Sequence, residues 1–200
     1  YIAPESFRSN QEVKSSLQQH DMNFFRLKSL LTLCIVLNSV VGQYPNTQKE
    51  KDKTKFRKKC LAIHNKYRKL HRSPPMVLND KINLWAQDWA EQNAAQDMME
   101  HRSNNPYGEN LYMFGPSPAP KGPKPKDVVS AWYDEIKYYD FNNGGFSGAT
   151  GHFTQVVWKE STKLGCGWAR SHSDNIYVVC NYSPPGNYMG KFKENVLKAK

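Results

Sequence analysis

Four side chains in this sequence carry more chemistry than their local surroundings account for: His101, Glu109, Glu135 and His152. His152 stands near the start of GHFTQVVWKES, Gly151 to Ser161, with Phe153, Val156, Val157 and Trp158 as the apolar side behind it. This pattern predicts a short helix with the histidine in its first turn. The positive end of a helix dipole favours the neutral imidazole, the form that a metal ligand or a hydrogen-bond acceptor requires. Taken alone, such a histidine reads as structural. Glu135 falls one turn from Trp132, on nearly the same side of an expected helix, and an acid beside an apolar face needs a partner or a cleft. Glu109 is the single acid of the aromatic segment PYGENLYMFG, and His101 stands at a polar break (RSNNP follows it) after an expected helix. Two imidazoles and two carboxylates suit cation binding. With the acids as general base and a cation polarising a carbonyl, they would also suit metal-assisted hydrolysis. No pair has a local metal spacing such as HExxH, so spacing alone does not unite them. Ser103, beside His101, is the one tempting nucleophile, and no activating partner is evident for it.

The elements that must position these groups can be read in order. Phe56, Cys60, Ile63, Tyr67 and Leu70 recur from Lys55 at helical spacing and predict one face of an amphipathic helix, ended by Pro74 and Pro75. A second helix is expected from Asn79 or Asp80 to about Glu100, burying Ile82, Trp85, Ala86 and Trp89. The run PSPAPKGPKPK holds five prolines and reads as an exposed loop of polyproline character. Asp127 is expected to cap a third helix, through about Tyr138, with Val128, Trp132, Ile136 and Tyr139 on one face. Glycines in FNNGGFSGATG permit a tight approach to His152. Two strands follow, Leu164 to Arg170 and Asn175 to Tyr182, joined by SHSDN. A turn centred near residue 173 sets Cys166 opposite Cys180, a separation a disulfide accepts, and the closed loop would contribute about 3 kcal/mol. Cys60 is then the odd cysteine, a buried thiol or an intermolecular partner. The sequon Asn181-Tyr182-Ser183 ends a core strand, a poor place for a glycan.

Composition bounds the rest. With 200 residues, 38% of them hydrophobic and 12% aromatic, the chain suits one domain plus appendages. A formal charge of +10 attracts anionic surfaces, and without a nucleic-acid motif beside it the expected partners do not include nucleic acid. From Met22 the chain reads MNFFRLKSLLTLCIVLNSVVGQ: a basic start, an apolar core and tolerated residues before Gln43. That is the layout of a signal peptide, with a signal anchor as the rival reading. Residues 1–21 are expected to be an upstream non-mature segment, 22–42 the signal peptide, 43–54 a basic leader and 55–200 the domain. Secretion makes a disulfide plausible. KEKDKTKFRKK, Lys49 to Lys59, has seven basic and two acidic residues. It reads as a solvated leader or, more sharply, as a patch for acidic lipid or glycan.

GHFTQVVWKES, together with YVVCNYSPPGNY at Tyr177 to Tyr188, resembles the two defining motifs of the CAP superfamily, the SCP-domain group of cysteine-rich secretory, antigen-5 and pathogenesis-related-1 proteins. HNKYR at His64 to Arg68, GENLY at Gly108 to Tyr112 and WYDEIKYYDF at Trp132 to Phe141 extend the likeness over residues 55 to 196. The resemblance implies an α+β fold, an α-β-α sandwich with a small antiparallel sheet between helical layers. It implies a cleft formed by His101, Glu109, Glu135 and His152, in which the two histidines can bind zinc or another divalent cation, with no cofactor required. By likeness to sterol-exporting members, the loop after GEN is a lipid contact, with Tyr112, Met113 and Phe114 exposed as a lip. No cysteine-rich tail follows Tyr188, which turns expectation away from channel-blocking toxins. The low cysteine count and GKFKENV resemble the Golgi-associated branch, but Asn23 after Met22 does not match that branch's myristoylation signal. The reading that results is a secreted lipid- or sterol-binding protein of defence or host interaction. A metal-dependent hydrolase, or an extracellular module for acidic glycan, membrane or a receptor, are its alternatives.

Overall fold

The computed structural model describes residues 47–116 and 122–200. The expected upstream segment and signal peptide, residues 43–46 of the expected leader, and residues 117–121 of the Pro-rich stretch lie outside the described residues. Contacts divide the chain into two units, Tyr1–Lys49 and Glu50–Lys200, and the sheet and its covering layers belong to the second.

Helix α1 spans Thr47–Leu70, so it begins eight residues before its apolar period and runs through part of the basic leader. Lysine and glutamate are good helix formers, and Arg57 pairs with Glu50 at 2.7 Å. Strand β1 is Val77–Leu78. Helix α2, Asp80–Gln96, opens with the Asn79 side chain accepting from the Ile82 amide at 3.1 Å. It ends four residues earlier than expected. Asp97 turns left-handed with φ 53°, and its carboxylate accepts from Asn175 and from the Tyr177 hydroxyl at 3.0 and 2.9 Å. These hydrogen bonds, led by Asn175, hold the Asp97 carboxyl well below the usual carboxylate range. Strand β2 is Gly108–Phe114.

Helix α3 spans Pro125–Tyr133 and tightens into a 3-10 turn over Asp134–Tyr138. Pro125, which needs no amide partner in a first turn, starts it. Asp127 therefore lies inside the first turn and is not the cap. Helix α4 is Gly151–Val157, strands β3 and β4 are Lys163–Arg170 and Ile176–Ser183, and α5 is Phe192–Asn195.

The four strands run in the order β1-β3-β4-β2, with β1 parallel to β3 and the other pairs antiparallel. Cys166 faces Cys180 across β3 and β4 and the two form a disulfide, as the hairpin register predicts. Cys60 is a buried free thiol beside them, and burial pushes its pKa up.

One face of the sheet carries α2. Gly165 and Gly167 lie directly under it, and a Cβ on either would strike the backbone of Ile82 or Gln87. This approach corrects the expected helix face. The buried side of α2 is Ile82, Asn83, Ala86, Gln87, Ala90, Asn93 and Ala94, because no indole fits against a sheet so near. Trp85 and Trp89 are half-buried instead, with the Arg102 guanidinium 3.7 and 5.4 Å from their ring centres.

The opposite face carries α1, α3 and α4 over a core that includes Phe56, Cys60, Trp132, Phe153, Val156, Val178 and Tyr182. Arg68 is wholly buried there without a carboxylate. It donates to the carbonyls of Pro74, Val156, Trp158 and Ser161 at 2.7–3.1 Å. Burial draws its pKa down to about 10. The expected lip is part of β2. Tyr112 and Phe114 pack against the core, edge to face at 4.8 Å, and only Met113 is exposed. Strand alternation explains this, since neighbouring side chains point to opposite sheet faces.

Candidate functional site

The site grows from the edge strand β2. Glu109 is paired in register with Asn181 on β4, and the fully buried Asn181 amide donates to Glu109 Oε2 at 3.1 Å. The loop after α2 completes the cradle. Asn105 donates to the same oxygen at 2.8 Å, while the Arg102 amide and His101 Nδ1 reach Oε1 at 3.0 and 2.9 Å. The carboxylate is 5% exposed and the imidazole 66%, so a fixed acid holds a histidine that faces solvent. The hydrogen bond to Glu109 raises the His101 pKa above its ordinary value.

The next residue of β2 reaches the second pair. Asn110 donates to the His152 carbonyl and to the Tyr182 hydroxyl, both at 3.1 Å. That hydroxyl also meets His64 Nε2 at 2.9 Å, and His64 Nδ1 donates to the Cys60 carbonyl at 2.8 Å. Burial draws the His64 pKa down to about 4, so this is a neutral packing histidine.

Glu135 comes from the 3-10 turn. Its Oε1 accepts from His152 Nδ1 at 2.6 Å, and its Oε2 accepts from the backbone amides of His152 and Phe153 at 3.0 and 3.1 Å. Thr150 makes no side-chain cap for α4, so Glu135 caps the helix from a distant part of the chain, satisfying amides that otherwise lack partners. The His152 ring lies nearly parallel to the Trp132 indole at 6.3 Å, and the indole nitrogen donates to the Leu111 carbonyl at 2.8 Å.

The structure thus gathers the four sequence-predicted residues into two dyads tied to adjacent positions of one strand. In each dyad a carboxylate takes Nδ1–H, which fixes the tautomer of the neutral ring and leaves the Nε2 lone pair available. Neither carboxylate is a free base. No hydrogen bond joins Ser103 to His101. Among the described residues, the group of three whose donor atoms fall within 4.8 Å of one another is Cys60, Cys166 and Cys180, not the histidines and acids. Two of those sulfurs are bonded to each other, so that group is a disulfide with a neighbouring thiol. Asn105, Asn110, Asn181 and Trp132 are the site residues that sequence reasoning missed. Asn110 inside GENLY, Trp132 at the head of WYDEIKYYDF and Asn181 inside YVVCNYS each stand in a motif, while Asn105 carries no such signal. Asn181 is held by Glu109 and the Gly108 carbonyl.

The model of the family described as "CAP: Cysteine-rich secretory protein family" matches residues 61–182. Human "Golgi-associated plant pathogenesis-related protein 1" is 39% identical over 150 residues, 72% of this chain and 94% of that protein. The tobacco "Basic form of pathogenesis-related protein 1" is 39% identical over 132 residues, 66% of this chain and 71% of its own length. Among solved structures, NaASP2 with Zn2+ is 26% identical with a TM-score of 0.57, covering 72% of this chain and 85% of that one. BmVAL-1 shares the fold at a TM-score of 0.60 and 22% identity, covering 72% of this chain and 82% of its own. The α-β-α sandwich, the two dyads on their edge strand and this breadth of likeness converge: the chain belongs to the CAP family, with a domain of the pathogenesis-related-1 type.

Proposed function

We propose that this domain is a binding protein of the defence type rather than a hydrolase, and that its cleft takes a divalent cation through Nε2 of His101 and of His152. The observation that carries this is the complete commitment of both carboxylates. Glu109 accepts four N–H groups and Glu135 three, which leaves two oriented imidazole lone pairs and no uncommitted carboxylate. A carboxylate behind a ligating histidine is the usual support of a metal ligand and raises its basicity. Two imidazoles are an incomplete set for zinc, so water completes it and the ion exchanges readily. A bound cation would supply a positive charge at the cleft mouth. NaASP2 was solved with Zn2+, which supports the reading. Titration calorimetry with zinc should give saturable binding that the His101→Ala, His152→Ala double variant loses. Retained zinc binding in that variant, or ester or peptide hydrolysis that it abolishes, would overturn the proposal.

A second reading, sterol or other lipid binding, is favoured by one feature. Met113 is exposed beside the half-buried Tyr112–Phe114 pair at the end of β2, just before the Pro-rich stretch. A fluorescent sterol should then bind saturably, more weakly in Met113→Glu. Absence of saturable binding to sterols and fatty acids alike ends this reading. Secretion is supported by the leader beginning at Met22 and by the pathogenesis-related relatives, and expression of the full chain with assay of the medium tests it. Among the described residues, no helix is long and apolar enough to cross a membrane.

A further inference from the structure

The solvent face of α1 is a feature that neither dyad uses. Helical spacing puts Lys51, Lys55, Lys58, Lys59, Lys66 and Lys69 within about a third of the helix circumference. All six are exposed. Ala62 stands in the middle of the row and is exposed as well. From Lys51 to Lys69 the row is about 27 Å long at 1.5 Å per residue. The acids of α1 fall outside it, with Glu50 turned to Arg57 and Asp52 on the flank beside Phe56. Among the described residues the six ammonium groups make no ion pair, whereas Lys53 and Arg57 on other faces are each paired with a glutamate.

Two adjoining grooves run along this row. One, of about 470 Å³, is lined by Lys51, Lys55, Lys58, Lys59 and Ala62. The other, of about 510 Å³, shares Lys59 and Ala62 and continues to Lys124 and Lys126 at the start of α3, with Asp127 as its one acid. The floor is Ala62, Ile63, Pro123 and Pro125 together with lysine stems. None of the exposed large hydrophobic side chains of the domain lies in the grooves.

From this we propose that the α1 face, with Lys124 and Lys126 at its side, is a docking surface for a linear sulfated polysaccharide. Like-charged groups held in a row, each within about a Debye length of the next, favour a polyanion that neutralises several at once and releases its counterions. Lysine ammonium groups act as point charges that follow a flexible anion, where bidentate phosphate recognition would call for arginine. A row without exposed aromatics lacks the stacking platforms of single-stranded nucleic-acid binding and the apolar wedge of an interfacial helix. Proline and alanine along the floor leave a smooth channel for sugar rings. This surface is independent of the histidine cleft.

The test uses the full chain and size-defined heparin oligosaccharides as the probe. The triple variant Lys55→Gln, Lys58→Gln, Lys59→Gln should lower oligosaccharide affinity by about tenfold or more and flatten its salt dependence, while zinc binding and the circular dichroism spectrum stay unchanged. A control that removes three charges away from this face, Lys81→Gln, Lys163→Gln and Lys191→Gln, should keep affinity within about twofold. Equal losses in both variants would overturn the proposal, because net charge alone would then explain retention. So would weak oligosaccharide binding alongside stripe-dependent binding to phosphatidylcholine–phosphatidylserine vesicles, or to a DNA duplex of matched charge.

Discussion

The two histidine–glutamate dyads have the same hydrogen bond and opposite mechanics. In the first, Glu109 is buried under four donors and His101 stands on a loop, mostly in solvent. In the second, Glu135 is the more accessible acid, 20% exposed, and His152 is fixed by helix α4, by the Trp132 ring and by Asn110 on its carbonyl. The anchored member is thus the acid on one side and the base on the other. The two sides therefore present one imidazole held in place, His152, and one on an exposed loop, His101.

The largest test of this contrast removes the acids. Glu109→Ala takes one of two acceptors from the buried Asn181 amide and the acceptor of Asn105, and should cost about 3 kcal/mol in urea denaturation. Glu135→Ala removes a helix cap and should cost about 2 kcal/mol, with Glu135→Gln recovering part of it. If Glu135→Ala proves the costlier, the anchoring assigned to Glu109 is mistaken. Removing the bases should reverse the ranking of the two sides. His152→Ala loses the stack on Trp132 and should cost about 1 kcal/mol, whereas His101→Ala should stay within about 0.5 kcal/mol of wild type. Equal effects would erase the distinction between a fixed and a loose imidazole.

The smallest effect is in pH. His101 gains its partner on folding, so its pKa is raised in the folded state above the ordinary 6.5. The stabilisation is complete below the unfolded value and disappears as pH rises through the folded one. The urea midpoint of wild type should therefore exceed that of His101→Ala by more near about pH 5 than near about pH 9. A gap that grows with pH would contradict the assignment. Cation binding runs the other way, since it needs the neutral ring.

Much of this arrangement is legible in the chain because it is local. The Cys166–Cys180 pair follows from a turn with equal arms, and apolar spacing finds Phe56 and Cys60 on the buried face of α1, but Ile63 and Tyr67 are half-buried and Leu70, expected beside them, is exposed. Strands β3 and β4 are readable to within a residue, since SHSDN leaves little choice of turn, whereas β1 and β2, which have no hairpin of their own, are not. What escaped reading is set by distant contacts. Glu135 caps a helix that begins sixteen residues later, a role no local signal encodes. Arg68 has the look of one more surface cation on α1, but becomes its deepest charge through carbonyls almost ninety residues further on. Trp85 and Trp89 have the right spacing for a core. They are displaced because two glycines of a strand far along the chain draw the helix too close.

Those two glycines also decide where the domain can give way. Helix α2 meets β3 as main chain on main chain, without the side-chain cushion that lets most helices slide or tilt by a fraction of an ångström. Such a contact is steeply repulsive on approach and already short on withdrawal, so this layer behaves as a hard wall. The opposite layer, with its aromatic and methyl-bearing side chains, is the compliant one. A single methyl group added at Gly165 or Gly167 must therefore push α2 away from the sheet, because backbone and not a movable side chain stands in its way.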